Sequence, residues 1–462
     1  MPYSFLDRPR DDTIPIIAIE KAVFAAWAET QPAEVKAFCA TTDFKAEPGS
    51  VALFPGRDGR LAQVFAGVEN HDGPWAYGAL PGRLPPGSYR LDVRMEAEKA
   101  TRAAVGWALG CYEFTRYKKG EGKTFPALVW PDDADRAQVA RTADATFLVR
   151  DLINTPASDM GPPELAAACE AVARRYGASC EVIVGNDLLE RNYPTIHAVG
   201  RAAGKAPRLV DIRWGRPDAP KVSLCGKGVC FDTGGLDLKP ASGMLRMKKD
   251  MGGAATMLGL AQMIMDAGLD VRLRLLIPAV ENSVSGDAMR PLDVITTRKG
   301  ITVEVGNTDA EGRLILCDAL AEADSESPAL LVDCATLTGA ARTALGVELG
   351  ALFCNDDATA AALLRHGEAE SDPMWRLPLW KPYRKMIESK VADINNVSEG
   401  AFAGAITAAL YLESFVGAAT PWVHLDVFAW NDSVKPGKPV GGEAMTMRAL
   451  YALVRSRFAG RA

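Results

Sequence analysis

The chain has 462 residues, 48% of them hydrophobic and 24% charged, with a formal net charge of −6. Such a length and apolar content support two or three domains with more than one buried core. The acidic balance excludes a globally polyanion-binding surface, so nucleic acid is not the expected partner.

The sequence opens without a basic start and apolar segment, and no run of about 18 uncharged apolar residues follows, so neither a leader nor a membrane span is expected. The expected location is the cytoplasm. Nine cysteines lack any C-x-x-C spacing and read as reduced, mostly buried thiols.

From residue 1 to Pro131, short β-rich runs such as Val51 to Phe54 and Tyr89 to Val93 alternate with Gly and Pro punctuation and helical stretches such as Ala100 to Leu109. A smaller N-terminal α/β domain is predicted over 1–131. Residues 132–153 begin with acidic side chains, continue in good helix formers and stop before Thr155-Pro156, which predicts a linking helix. Over 154–462 near-continuous apolar runs recur at Val222 to Leu224, Leu273 to Val280, Leu330 to Cys334 and Val423 to Val427. Between them lie helical segments such as Gly253 to Ala267 and Leu314 to Ala323. Strands without polar alternation belong in a mostly parallel sheet covered on both faces, so the second part reads as a larger α/β domain with its site at strand ends.

Two segments place charged side chains where a buried sheet would not tolerate them unpaired. The first runs from Cys225 to Pro240, Cys-Gly-Lys-Gly-Val-Cys-Phe-Asp-Thr-Gly-Gly-Leu-Asp-Leu-Lys-Pro, and is followed by Met247 to Gly253. Its glycines let backbone approach a ligand closely. The second, Val305 to Leu314, runs from an apolar strand into a helix. Asp309 and Glu311 lie two apart there, which in extended chain turns both carboxylates to one side.

A lone D-x-E pair is most often solvated surface charge. A phosphate-cradling reading of Lys227 and Asp232 lacks the G-x-x-x-x-G-K-[ST] spacing. Asp250 can also serve as a helix N-terminal acid. His71, His197, His366 and His424 read as structural or surface residues, since none stands in H-E-x-x-H. Cys230, beside Asp232, reads as packing, with oxidation sensitivity as the alternative.

The octapeptide Asn-Thr-Asp-Ala-Glu-Gly-Arg-Leu at Asn307 to Leu314 resembles the signature of the leucine aminopeptidase, or cytosol aminopeptidase, family of dinuclear metallopeptidases. Gly226 to Gly228, Phe231 to Gly235, Asp250 to Ala255 and Ala335 to Ala340 match further pieces, so the resemblance spans roughly Asn154 to the end. It matches the first part only in size and general character.

The resemblance implies that Lys227, Asp232, Asp250 and Glu311 hold one metal ion and that Asp232, Asp309 and Glu311 hold the other. Four carboxylates balance two divalent cations if the Lys227 amine is neutral. Oxygen ligands with one amine suit Mn²⁺, Zn²⁺ or Mg²⁺. By the same resemblance Lys239 steadies an oxyanion and Arg313 holds a bicarbonate that acts as general base. Met247 and Thr336 read either as core residues or, with Gly339, as the pocket for the first side chain.

The implied activity is leucyl-type metallo-aminopeptidase hydrolysis of the N-terminal peptide bond, by a homohexamer acting on peptides. The chain departs from the family at Val427-Phe428-Ala429-Trp430, about two residues shorter than usual, and at Lys438 to Ala444. Both regions shape the substrate pocket in the family, which puts a leucine preference in doubt. A DNA-binding architectural role and a specialised dipeptidase or cysteinylglycinase are the competing readings.

Overall fold

The computed structural model describes residues 3–118 and 122–458. Residues 1–2, 119–121 and 459–462, including both ends of the expected domains, lie outside the described residues. The chain divides into two compact units, Met1–Phe147 with Asp432–Val440 and Leu148–Asn431 with Gly441–Ala462. The segment expected to link domains is a helix over Arg136–Asn154, and the division falls inside it. Residues 432–440, which the sequence assigns to the larger domain, belong to the first unit. There the backbone packs so closely on Gly78 that a Cβ on that glycine would meet Gly437 N at 2.8 Å.

The first unit holds a six-stranded sheet of β1 (Ser4–Leu6), β2 (Ile14–Glu20), β3 (Val51–Pro55), β4 (Leu61–Val68), β5 (Ser88–Leu91) and β6 (Ala127–Val129). Its order is β1-β6-β5-β2-β4-β3, parallel throughout but for the β3–β4 pair. β2 reads Ile-Pro-Ile-Ile-Ala-Ile-Glu because both faces of the sheet are covered. Ile16 packs with Tyr77, Tyr89 and Trp107, whereas Ile19 packs with Val35, Phe44 and Phe65.

The second unit contributes β7 (Ser179–Val184), β8 (Arg208–Trp214), β9 (Lys221–Gly226), β10 (Gly228–Asp232) and β11 (Arg272–Asn282). Later in the chain come β12 (Val294–Thr296), β13 (Thr302–Glu304), β14 (Leu330–Ala335), β15 (Gly350–Cys354), β16 (Met374–Arg376), β17 (Ile394–Asn395) and β18 (Trp422–Asp426). The main sheet runs β16-β15-β18-β14-β9-β11-β8-β7, with β10 paired to β11, and β12-β13-β17 form a small separate sheet. β18, β14, β9 and β11 are mutually parallel neighbours, and β10 is parallel to β11. Their apolar runs are buried along their length, which places helices Gly252–Asp266 and Glu311–Asp324 against them. All five strands therefore end on one edge, where Gly226, Asp232, Asn282, Ala335 and Asp426 come together.

Candidate metal centre and substrate cleft

Lys227 follows the last residue of β9. Its N–H donates to Cys334 O at 3.0 Å and its carbonyl accepts from Ala254 N at 2.9 Å, so the backbone is fixed between β14 and a helix start. Asp232 ends β10. The chain then turns through Gly234 and Gly235, with φ of +89° and +67°, a conformation that L side chains avoid. Asp250 closes the short turn Met247–Lys249 just before helix Gly252–Asp266.

The expectation that Asp309 and Glu311 share an extended segment is corrected. Asp309 lies in a turn and Glu311 is the first residue of helix Glu311–Asp324. Their carboxylates still converge, because the turn folds Asp309 back over the helix start. One oxygen each from Asp232, Asp309 and Glu311 lie within 4.8 Å of one another.

Two lysines enter this acid cluster. Lys227 Nζ lies 2.6 Å from Asp250 Oδ2 and 3.0 Å from Glu311 Oε1, and it donates to Thr336 O at 2.9 Å. Lys239 Nζ lies 2.8 Å from Asp232 Oδ2 and also pairs with Asp309. Burial, and then the nearby Asp232 carboxylate, push Glu311 up to about 8 and Asp309 up to about 6. Burial also opposes ionisation of Asp232, but Lys239 and Lys227 outweigh it and hold that carboxyl below its usual range. For both lysines burial favours the neutral amine, and the surrounding carboxylates overcome it and raise the pKa.

Glu311 Oε2 is buried with no hydrogen-bond donor among the described residues, and Glu311 Oε1 and Asp250 Oδ2 are met only by the shared Lys227 ammonium. Buried carboxylate oxygens of this kind are unfavourable unless a cation meets them. The two lysines do not neutralise all four acids strongly enough to keep Glu311 and Asp309 in their ordinary range. The donor set therefore fits divalent metal ions, with oxygen ligands and one amine.

The cluster opens into a cleft of about 620 Å³ that Met247, Thr336 and Gly339 also line. Thr336 is tied to the acids, since its Oγ1 donates to Asp250 Oδ1 at 2.7 Å. Arg313 does not reach the cleft wall; it is buried, Nη1 donates to Asn396 O at 2.7 Å, and among the described residues Nε has no acceptor. None of the four histidines lines the cleft.

Of the two departures from the family pattern, only one lies at the cleft. Val427 and Phe428 line it, and the short connection is closed by Ala429 at φ 55°. Lys438 to Ala444 does not line it. Within that stretch Glu443 turns into the core of the second unit to pair with Arg150 at 3.0 Å.

Sequence reading missed the residues that aim the carboxylates of the cluster. Asn282 Nδ2 donates to Asp232 Oδ1 at 2.9 Å and to Thr308 O at 3.1 Å. The Asn396 side chain holds the octapeptide turn, accepting from Gly306 N at 2.8 Å and donating to Asn307 O at 2.8 Å. No local motif marks either residue. Lys249 was also missed; it lines the cleft, and burial pushes its ammonium down to about 8.

Gly312 is required by close approach: a Cβ there would meet Lys227 Cε at 2.4 Å and Nζ at 2.8 Å. Gly312→Ala is expected to displace the amine and to destabilise the fold by about 1–3 kcal/mol, as overpacking does. Urea unfolding measures the second effect, and the Mn²⁺ concentration needed for half-maximal thermal stabilisation, which should rise, measures the first.

A carboxylate-rich cluster fit for divalent metal at the C-terminal edge of a mostly parallel sheet defines the class, an α/β protein with a candidate metal centre. The chain belongs to the cytosol aminopeptidase family, whose catalytic-domain model matches residues 147–451, and it is a hydrolase acting on peptides. The model of the M17 aminopeptidase N-terminal domain matches residues 14–131, so the family relationship extends into the first unit, beyond the span evident from motifs.

A probable cytosol aminopeptidase of Roseiflexus castenholzii is 41% identical over 388 residues, 80% of this chain and 79% of that protein. Peptidase B of Pectobacterium carotovorum is 41% identical over 373 residues, 77% and 84% of the two chains. Among solved structures, the cytosol aminopeptidase of Coxiella burnetii superposes with a TM-score of 0.94 at 46% identity, covering 98% of this chain and 99% of that one. The bottromycin maturation enzyme BotP in complex with Mn superposes at 0.87 and 34% identity, covering 96% and 99%.

Proposed function

We propose that the protein is a two-metal aminopeptidase that hydrolyses the N-terminal peptide bond of peptides. The observation that carries this reading is the buried carboxylate cluster of Asp232, Asp250, Asp309 and Glu311, in which Glu311 Oε2 has no donor among the described residues and Glu311 Oε1 and Asp250 Oδ2 share the single Lys227 ammonium. Lys227, Asp232, Asp250 and Glu311 would hold one divalent ion and Asp232, Asp309 and Glu311 the other, with Asp232 and Glu311 shared. Mn²⁺ is supported by the Mn complex of BotP, and Zn²⁺ and Mg²⁺ also suit the donors. When bound, such a pair of ions supplies an activated water and polarises the scissile carbonyl.

The chain's own residues account for the rest. Asn282 and Thr336 orient the carboxylates, so the cluster is preorganised before substrate arrives. Lys239, held charged between Asp232 and Asp309, is placed to face negative charge that develops on the carbonyl oxygen. Arg313 is buried and does not line the cleft, so of the expected bicarbonate site only its Nε–H, without an acceptor among the described residues, would be left as a donor. Met247, Thr336 and Gly339 receive the first side chain.

Cytoplasmic location is supported by the names of the relatives and by the finding that, among the described residues, no helix is long and apolar enough to cross a membrane. A homohexamer is what the family resemblance implies; the exposed Trp375 on the edge strand β16 and Trp380 just beyond it offer apolar surface to an interface without fixing its stoichiometry, which sedimentation mass decides.

The reading is tested by stripping metal with a chelator and adding back Mn²⁺ or Zn²⁺ during assay on aminoacyl amides and their N-acetylated counterparts. Metal-restored release from free amino ends alone is expected. Equal cleavage of acetylated substrates, or activity indifferent to metal, contradicts it.

A further inference from the structure

A second cavity, of about 360 Å³, lies wholly within the first unit and shares no lining residue with the cleft. It opens between helix Phe24–Thr30, helix Ala33–Thr41 and the turn that follows them. Phe24, Ala28, Cys39, Ala40 and Phe44 supply its apolar wall. The turn explains how that wall forms. Asp43 takes a φ of 50°, and the Phe44 N–H then donates to Cys39 O at 2.9 Å, which brings the Phe44 ring back beneath the second helix. Phe44 is 6% exposed and meets Phe24 edge to face at 5.7 Å, so the aromatic wall is held in place by its own packing. The volume falls in the range of small-molecule sites, about 300–1,000 Å³.

The remaining lining residues are charged. Lys45 and Asp43 neutralise each other at 2.6 Å. Glu29 and Lys36 line the same cavity, yet among the described residues neither side chain makes an ion pair or a hydrogen bond, with each other or with any other group. A lone exposed lysine or glutamate is ordinary solvated charge. Here two opposite, unpaired charges border one apolar wall, and that combination restricts what fits. A monoanion drawn by Lys36 meets Glu29, and a monocation drawn by Glu29 meets Lys36. A molecule that carries both charges at one end and an apolar body at the other complements all three features.

We propose that this cavity binds a free α-amino acid with an apolar side chain, its ammonium on Glu29, its carboxylate on Lys36 and its side chain against Phe24 and Phe44. The proposal goes beyond the aminopeptidase reading and stands without it. Such amino acids are what that reaction releases, but none of these residues belongs to the metal centre.

The test is calorimetric titration of L-phenylalanine into the Mn²⁺-loaded full chain and, separately, into the same protein after chelation. Saturable binding that persists without metal is expected. Lys36→Gln and Glu29→Gln should each weaken it about fivefold or more, a charge-assisted contact discounted for exposure. Ala28→Trp, which fills the cavity, should abolish it. 3-Phenylpropionate, which lacks the ammonium, and phenethylamine, which lacks the carboxylate, should each bind at least about fivefold more weakly than the amino acid.

Absence of saturable binding to the chelated protein overturns the proposal, as does binding that Lys36→Gln and Glu29→Gln leave unchanged. Phenylpropionate or phenethylamine binding as tightly as phenylalanine also overturns it. If Ala28→Trp does not fold, the two charge variants, both at exposed helix positions, decide the question. None of these outcomes bears on peptide hydrolysis, which the metal add-back assay tests by itself.

Discussion

Glu311→Gln should abolish turnover while leaving a folded protein. The substitution is nearly isosteric, and the protein group that faces the Glu311 oxygens is the Lys227 ammonium, 3.0 Å from Oε1, which an amide oxygen can still face. What it removes is one of the charges shared between the two proposed ions. Substitutions of residues that only orient a metal ligand typically cost about 10–100-fold in affinity or activity, and loss of a shared ligand should exceed the upper end of that range. The apo protein should lose little stability, because burial and Asp232 make ionised Glu311 unfavourable and this offsets the lost attraction to Lys227. Paired measurements of kcat/KM and of urea unfolding without metal check this. Activity within about tenfold of wild type would remove Glu311 from the centre.

The largest effect on stability is expected at Arg150. Its side chain is fully buried, and Glu443, which it meets at 3.0 Å, is 3% exposed. Glu443 also accepts from Asn431 Nδ2 at 2.7 Å, so one carboxylate joins helix Arg136–Asn154 to the segment before the last helix. Arg150→Leu leaves that carboxylate buried without its cation, which should lower unfolding free energy by about 3–5 kcal/mol. Pairing it with Glu443→Leu should recover part of the loss, since the unmatched charge then disappears, and a double-mutant cycle from urea titrations measures the coupling. The cleft lies apart from this pair, so residual folded protein should keep the wild-type preference among substrates.

The carboxylate cluster was legible in the sequence because most of its members stand in two short segments with unusual density of charge and glycine. Lys227 and Asp232 flank a strand, and Asp309 and Glu311 stand at a helix start, so local spacing carried most of the information. The apolar runs at β9, β11, β14 and β18 were equally readable, because strands buried on both faces lack polar alternation.

The remainder depended on long-range contacts that spacing does not encode. Asn396 braces the octapeptide from 89 residues away, and Asn282 braces Asp232 from 50. The same holds for residues 432–440, which the chain returns to the first unit, and for Glu443, whose partner lies 293 residues earlier. Lys249 was passed over because beside Asp250 it reads as one more charge in a polar turn. Only burial and the absence of a partner distinguish it.

The most direct measurement is anomalous scattering from crystals of the protein soaked in Mn²⁺. Two manganese peaks per chain are expected, one bounded by Lys227, Asp232, Asp250 and Glu311 and the other by Asp232, Asp309 and Glu311. A single peak, or none among these residues at saturating metal, would contradict the two-metal account.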